Sequence, residues 1–217
     1  MSKKWWYIGF FVLLFAVYFI YVFSQTDISQ SSLPVINNNV QPFAFTNQNG
    51  KTISEKDVDG KVYVGEFFFT TCKGICPKMN LNMKGIYEHY KSEPDFAIIS
   101  HTCMPETDSV PLMKAYSQKM GAGPNWYFVT GSKDSLYKMA RESYLLDNDK
   151  NNSMNIKDQF IHTQFFAVVD KEGRVRGVYD GLKNDELDKL SRDIKDLLKE
   201  TKTPAVFNNS TFTNNPN

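Results

Sequence analysis

Apolar and polar positions alternate in different ways along the chain. From Trp5 to Phe23 the run WWYIGFFVLLFAVYFIYVF holds 19 residues and no charge. As a helix rising about 1.5 Å per residue it is roughly 28 Å long, close to the hydrocarbon thickness of a bilayer. Trp5, Trp6 and Tyr21 lie near its ends, where amphipathic rings favour the interface. Lys3 and Lys4 precede it and Ser24-Gln25-Thr26-Asp27 follows, which predicts a single-pass anchor with the C-terminal bulk outside. The run is long for the h-region of a cleaved signal peptide, and no A-x-A-like cleavage site follows it. The chain divides into an anchor (1–24), a Ser-, Asn- and Gln-rich tether (25–41), a domain (42–202) and an Asn- and Thr-rich tail (203–217) expected to be disordered.

Within the domain, short apolar runs rich in β-formers alternate with helical patterns. Phe43 to Ile53 carries Asn49-Gly50 between extended segments, a hairpin signal. Val62–Phe69, Phe96–Ser100 and Trp126–Val129 read as buried strands. Helices are predicted from Cys76 or Pro77 to Tyr90, after a cap at Asp108 or Ser109, and from Ser132. Leu112, Met113, Tyr116 and Met120 share one face of the second of these. Gln164–Val169 and Val175–Tyr179 form a hairpin through Lys171-Glu172-Gly173, and a helix from Asn184 to Glu200 closes the domain. This order predicts an α/β domain with a mainly parallel or mixed sheet covered on both faces, which fits a thioredoxin-like fold.

Composition narrows the function. Three cysteines in 217 residues are too few for a disulfide framework. The 25 basic and 24 acidic residues leave a net charge of +1 without long blocks of one sign, which argues against nucleic acid as a partner. The N-terminus lacks the Arg- and Ser-rich stretch of an organellar transit peptide, so a bacterial cytoplasmic membrane is expected, with the domain facing the periplasm or outside.

The chemistry concentrates in Thr70-Thr71-Cys72-Lys73-Gly74-Ile75-Cys76-Pro77, directly after a predicted strand. Two cysteines four apart at a helix start can face the same way, and the positive helix end favours thiolate. Such a pair suits copper or zinc, reversible disulfide exchange, or a structural disulfide. A metal would need a further ligand. His162 precedes the strand QFFAVV, in a loop that a thioredoxin-like sheet brings beside the first cysteine. Met79 and Met83 read as a core stripe and His89 as a surface residue. Glu66, in an apolar strand, reads equally as a catalytic acid or as an edge-facing or hydrogen-bonded one. His101, Cys103 and Met104 follow the next strand and reach the same sheet end, where an auxiliary thiol or transient copper site competes with simple burial.

These motifs together resemble the Sco/SenC family, membrane-anchored copper proteins that help assemble the CuA centre of cytochrome c oxidase. The resemblance rests on Thr70 to Pro77, on His162-Thr163-Gln164 through Asp170-Lys171-Glu172-Gly173, and on Ile99-Ser100 through Pro105-Glu106-Thr107-Asp108. It runs from about Phe43 to Leu198. It implies copper, as Cu(I) or Cu(II), held by Cys72, Cys76 and His162, and the CuA subunit as recipient, with other copper chaperones as further partners. Lys73-Gly74-Ile75 departs from the Pro-Asp-Ile common between the family cysteines, and Ile161 stands where an acid often precedes the histidine, leaving Asp158 as the nearest acid. The competing reading is a thiol–disulfide oxidoreductase with Cys72 and Cys76 as its redox-active pair. Its general form is disfavoured by the C-x-x-x-C spacing and by His162 in the place where thioredoxins carry proline. A peroxidase is poorer still, and a redox or copper sensor is a third possibility.

Overall fold

The computed structural model describes residues 3–25, 33–72, 74–147 and 163–202. Helix α1 (Lys3–Gln25) is long and apolar enough to cross a membrane, and its described side chains are exposed. The domain is one seven-stranded mixed sheet in the order β2-β1-β5-β4-β3-β6-β7. The strands are β1 (Ala44–Asn47), β2 (Thr52–Ser54), β3 (Val62–Phe68), β4 (Phe96–Thr102), β5 (Trp126–Thr130), β6 (Phe165–Val169) and β7 (Val175–Asp180). The central strands β3, β4 and β5 are parallel, and every other pairing is antiparallel.

Parallel neighbours need crossovers, and two helices supply them. Helix α2 (Cys76–Tyr90) links β3 to β4, and α3 (Val110–Met120) links β4 to β5. With α5 (Asn184–Lys199) they cover one face, where Met79, Met83, Met113, Leu190, Ile194 and Leu197 are buried on Val62, Val64, Phe68, Ile98 and Trp126. The opposite face packs Val40, Phe43, Phe45 and the α4 (Lys133–Lys138) region, with Leu136, Tyr137 and Tyr144, against Tyr63, Phe67 and Ile99. Coverage on both sides explains why β3 and β4 are buried at every position and read as continuous apolar runs. The result is the thioredoxin-like fold expected from the element order.

Two departures are local. Leu112, placed by periodicity on the inner face of α3, is exposed, and Met113 beside it carries the contact. Residues 33–41, which composition assigns to the tether, are hydrogen-bonded to the domain. Ile36 N–H donates to the Val175 carbonyl at 2.8 Å, and Val40 N–H to that of Gly173 at 2.9 Å. Arg176 Nη2 donates to the Leu33 carbonyl at 2.7 Å. Arg176 also pairs with Asp170 and Glu200 at 2.9 and 3.0 Å, both buried. Asp170, Glu172 and Glu200 gather closely enough to suggest a cation site, but Arg174 and Arg176 lie among them and supply the balancing charge. The tail from residue 203 lies outside the described residues.

Candidate metal centre

In a sheet with parallel central strands, the C-terminal ends of those strands form a natural site, because the chain turns there into helices. Here that end carries Thr70 to Cys76 after β3 and Cys103 to Asp108 after β4. The buried Asp108 carboxylate ties the two loops together. Thr70 Oγ1 and Thr102 Oγ1 each donate to it at 2.5 Å, and Thr70 N–H also donates to it. Charge-assisted hydrogen bonds of this kind are the strong ones. They fix the start of the turn that carries Cys72.

Cys76 is the first residue of α2 and Pro77 follows it in the first turn, where a missing N–H costs nothing. The capping position, Ile75, offers no side-chain acceptor. The Cys72 thiol lies beside this helix start, and the Cys76 thiol and the backbone N–H groups of Cys76, Gly74 and Ile75 favour its ionised form. Burial pushes the Cys72 thiol up, but these donors outweigh it and hold the thiol below its ordinary value. Cys76 goes the other way, raised first by burial and then by its bond to Cys72 and the charge there. The pair is therefore asymmetric: Cys72 is the partly exposed, acidic sulfur, and Cys76 is its buried partner. Both are free thiols.

Cys103 reaches the same end of the sheet. Its N–H and Sγ both meet the Phe68 carbonyl, at 2.9 and 3.2 Å, and Tyr137 OH donates to its own carbonyl at 3.1 Å. Burial, followed by the charges of Cys76 and Asp108, pushes this thiol far up, so it is a protonated, enclosed sulfur. His101 is not part of the centre. It lies on the opposite face of the sheet from Glu66, stacked on Phe67 at 5.0 Å and edge-on to Phe45 and Tyr144. Met79 and Met83 are fully buried core residues, and His89 is exposed on α2.

Glu66 is fully buried in the middle of the sheet and accepts from Ser100 Oγ at 2.5 Å. Ser100 Oγ in turn accepts from Trp126 Nε1 at 2.9 Å. On the same side Asn80, one turn after Cys76, donates to Tyr116 OH at 2.5 Å. Glu66 Oε2 and Asn80 Oδ1 have no hydrogen-bond partner among the described residues. Burial pushes the Glu66 carboxyl up to about 8, so it is held as the neutral acid. The sequence singled out Glu66 and Asp108 only as an odd acid and a helix cap. The signal for Glu66 is a lone acid inside an otherwise apolar strand; Asp108, six residues past β4, carries none beyond its capping position.

His162 and Asp158 lie outside the described residues. The described chain resumes at Thr163, and Phe165 opens β6. Because β6 runs antiparallel to β3, with Gly65 opposite Ala167, the start of β6 is at the dithiol end of the sheet. His162 is three residues before Phe165, a separation a chain can span only up to about 10 Å.

Comparison with known proteins agrees with this geometry. The SCO1/SenC family model matches residues 34–199. The SCO1 protein homolog of Bacillus subtilis (strain 168) is 33% identical over 163 residues, 74% of this chain and 83% of that protein. The structure of BsSco, a member of the Sco family of cytochrome c oxidase assembly proteins in which a disulfide switch was identified, superposes with a TM-score of 0.67 at 31% identity, covering 79% of this chain and all of that one. ScoI of Bradyrhizobium japonicum with copper bound shares the fold, with a TM-score of 0.56 at 21% identity over 73% of this chain and 99% of that one. With its dithiol turn, its sheet and nearly the whole of its domain matched, the chain belongs to the SCO1/SenC family.

Proposed function

We propose that the protein is a membrane-tethered copper metallochaperone that supports assembly of the CuA centre of cytochrome c oxidase. Cys72 and Cys76 bind copper as thiolates, and His162 completes the set through an imidazole nitrogen. Copper is the cargo, and the recipient is the CuA subunit. The observation that carries the reading is the hydrogen-bonded pair of free thiols at the start of α2, one acidic and partly exposed, the other buried. Two soft sulfurs and an imidazole suit copper in both common oxidation states. Hand-over proceeds by ligand exchange, with the partly exposed Cys72 released to an incoming ligand while Cys76 still holds the ion. The anchor confines the search for the recipient to the membrane surface, with the domain on the outer side of a bacterial cytoplasmic membrane. Family membership and the copper-bound relative support this reading.

The same asymmetry favours a second reading. An acidic, partly exposed thiol backed by a buried one is also the arrangement of a dithiol reductant, which would reduce the recipient's cysteines before another carrier loads them. One experiment separates the two. The reduced full-length chain in detergent is titrated with Cu(I) and Cu(II), alongside Cys72→Ser and Cys76→Ser. The chaperone reading predicts one copper per chain and loss of tight binding in either variant. Absence of binding in the parent, together with rapid reduction of a disulfide substrate, would leave the reductase.

A further inference from the structure

Residues 33–43 form a strap across the domain, and its two ends lie at opposite ends of the sheet. The central strands β3, β4 and β5 all point toward the dithiol. Strand β1 is antiparallel to β5, with Thr46 opposite Thr130, so its first residue, Ala44, lies at the dithiol end. The far end of the strap is elsewhere. Asn37 bridges Val175, and Val40 binds the Gly173 carbonyl. Val175 opens β7 and pairs with Val169, at the foot of the sheet. The strap therefore starts at the foot beside β7 and climbs the face opposite α2, burying Val40 and Phe43 on the way.

The docking is built from the strap's own polar groups. Asn37 Nδ2 donates to the Glu142 and Ser143 carbonyls, both at 2.8 Å. Gln41 N–H donates to Ser143 Oγ at 3.0 Å, and the Leu33 carbonyl accepts from Arg176, itself locked by Asp170 and Glu200. The tether would not need these bonds if its task were only to supply length.

We propose that the strap is an orienting device: it moves the point where the anchored chain leaves the domain from the dithiol end of the sheet to its foot. Cys72 and Cys76 then face away from the bilayer, toward a partner protein whose receiving site stands off from the membrane surface. This rests on the reading of α1 as a membrane anchor. Distances make the choice of exit point matter. Between Gln25 and Leu33 the chain can extend at most about 29 Å. The seven residues of β3 add about 20 Å between the foot and the dithiol end. With the strap docked, the sulfurs stand above the foot by that length. Without it, the domain would hang from Ala44, with the sulfurs at the membrane-facing end.

The test uses the unmodified full-length chain in phosphatidylcholine vesicles doped with a lipid carrying a photoactivatable diazirine on its headgroup. After illumination, crosslinked residues are mapped by mass spectrometry. The expected result is several-fold more crosslinking at the foot, around Asp59, Lys171 and Lys202, than at the exposed dithiol end, around Thr71 and Ser109. An even distribution, or the reverse, overturns the proposal. A chain that fails to float with the vesicles overturns the anchor reading itself and is recognised before any map is made. A second sample carries Asn37→Pro and Val40→Ser to release the strap. Crosslinks should then move toward the dithiol end, and an unchanged map in a variant with native far-UV dichroism would deny the strap its role.

Discussion

Two buried groups, His101 and Glu66, set how this domain responds to acid. His101 is enclosed by Phe45, Phe67 and Tyr144, and burial lowers its pKa to about 4 from 6.5. The folded protein keeps it neutral, whereas the unfolded chain takes up a proton below pH 6.5. Its contribution to stability is therefore complete above pH 6.5 and is lost as the pH falls toward 4, by on the order of 3 kcal/mol. Glu66, held protonated up to about pH 8, works in the opposite direction over the same range, so the parent's urea midpoint should change little as the pH falls from 6.5 to 4.5 while that of His101→Phe should rise; parallel curves would contradict the assignment. The sequence placed His101 at the correct end of the sheet but could not tell its face, because β4 is buried on both sides and carries no alternation. Cys72 was legible for the opposite reason. Its chemistry depends on a helix start only four residues away, and that start is announced by Pro77.

Elements followed the hydrophobic pattern closely where packing is one-sided or complete. The β6–β7 hairpin and α5 stand where the sequence put them, since Leu190, Ile194 and Leu197 keep strict helical spacing. Strap residues 33–41 were not legible as ordered structure, because their bonds run mainly to backbone carbonyls and leave little trace in the composition. Gly65 was also silent. It sits in β3 because a Cβ there would come within 2.9 Å of the buried Tyr144 ring. Gly65→Ala should cost about 1–3 kcal/mol through this overpacking. The denaturant midpoint measures it, and Tyr144→Leu in the same chain should recover part of the loss. An unchanged midpoint in Gly65→Ala would show that Tyr144 yields freely.

At the scale of the whole molecule, an apolar helix, an ordered strap and a mixed sheet place two sulfurs at one end of the domain and the chain's exit at the other. Asp108 and the α2 start hold the loop and helix end that carry the dithiol. The remaining element of the account is His162 as the nitrogen ligand. The most direct measurement is the absorption and electron paramagnetic resonance spectrum of the Cu(II)-loaded full-length protein, taken beside that of His162→Ala. The account predicts a thiolate-to-Cu(II) charge-transfer band and nitrogen hyperfine coupling in the parent. In the variant the histidine nitrogen coupling should vanish and Cu(II) should be held far more weakly. Identical spectra and equal binding in the two proteins, or a parent spectrum without the thiolate band, would contradict the Cys72–Cys76–His162 site.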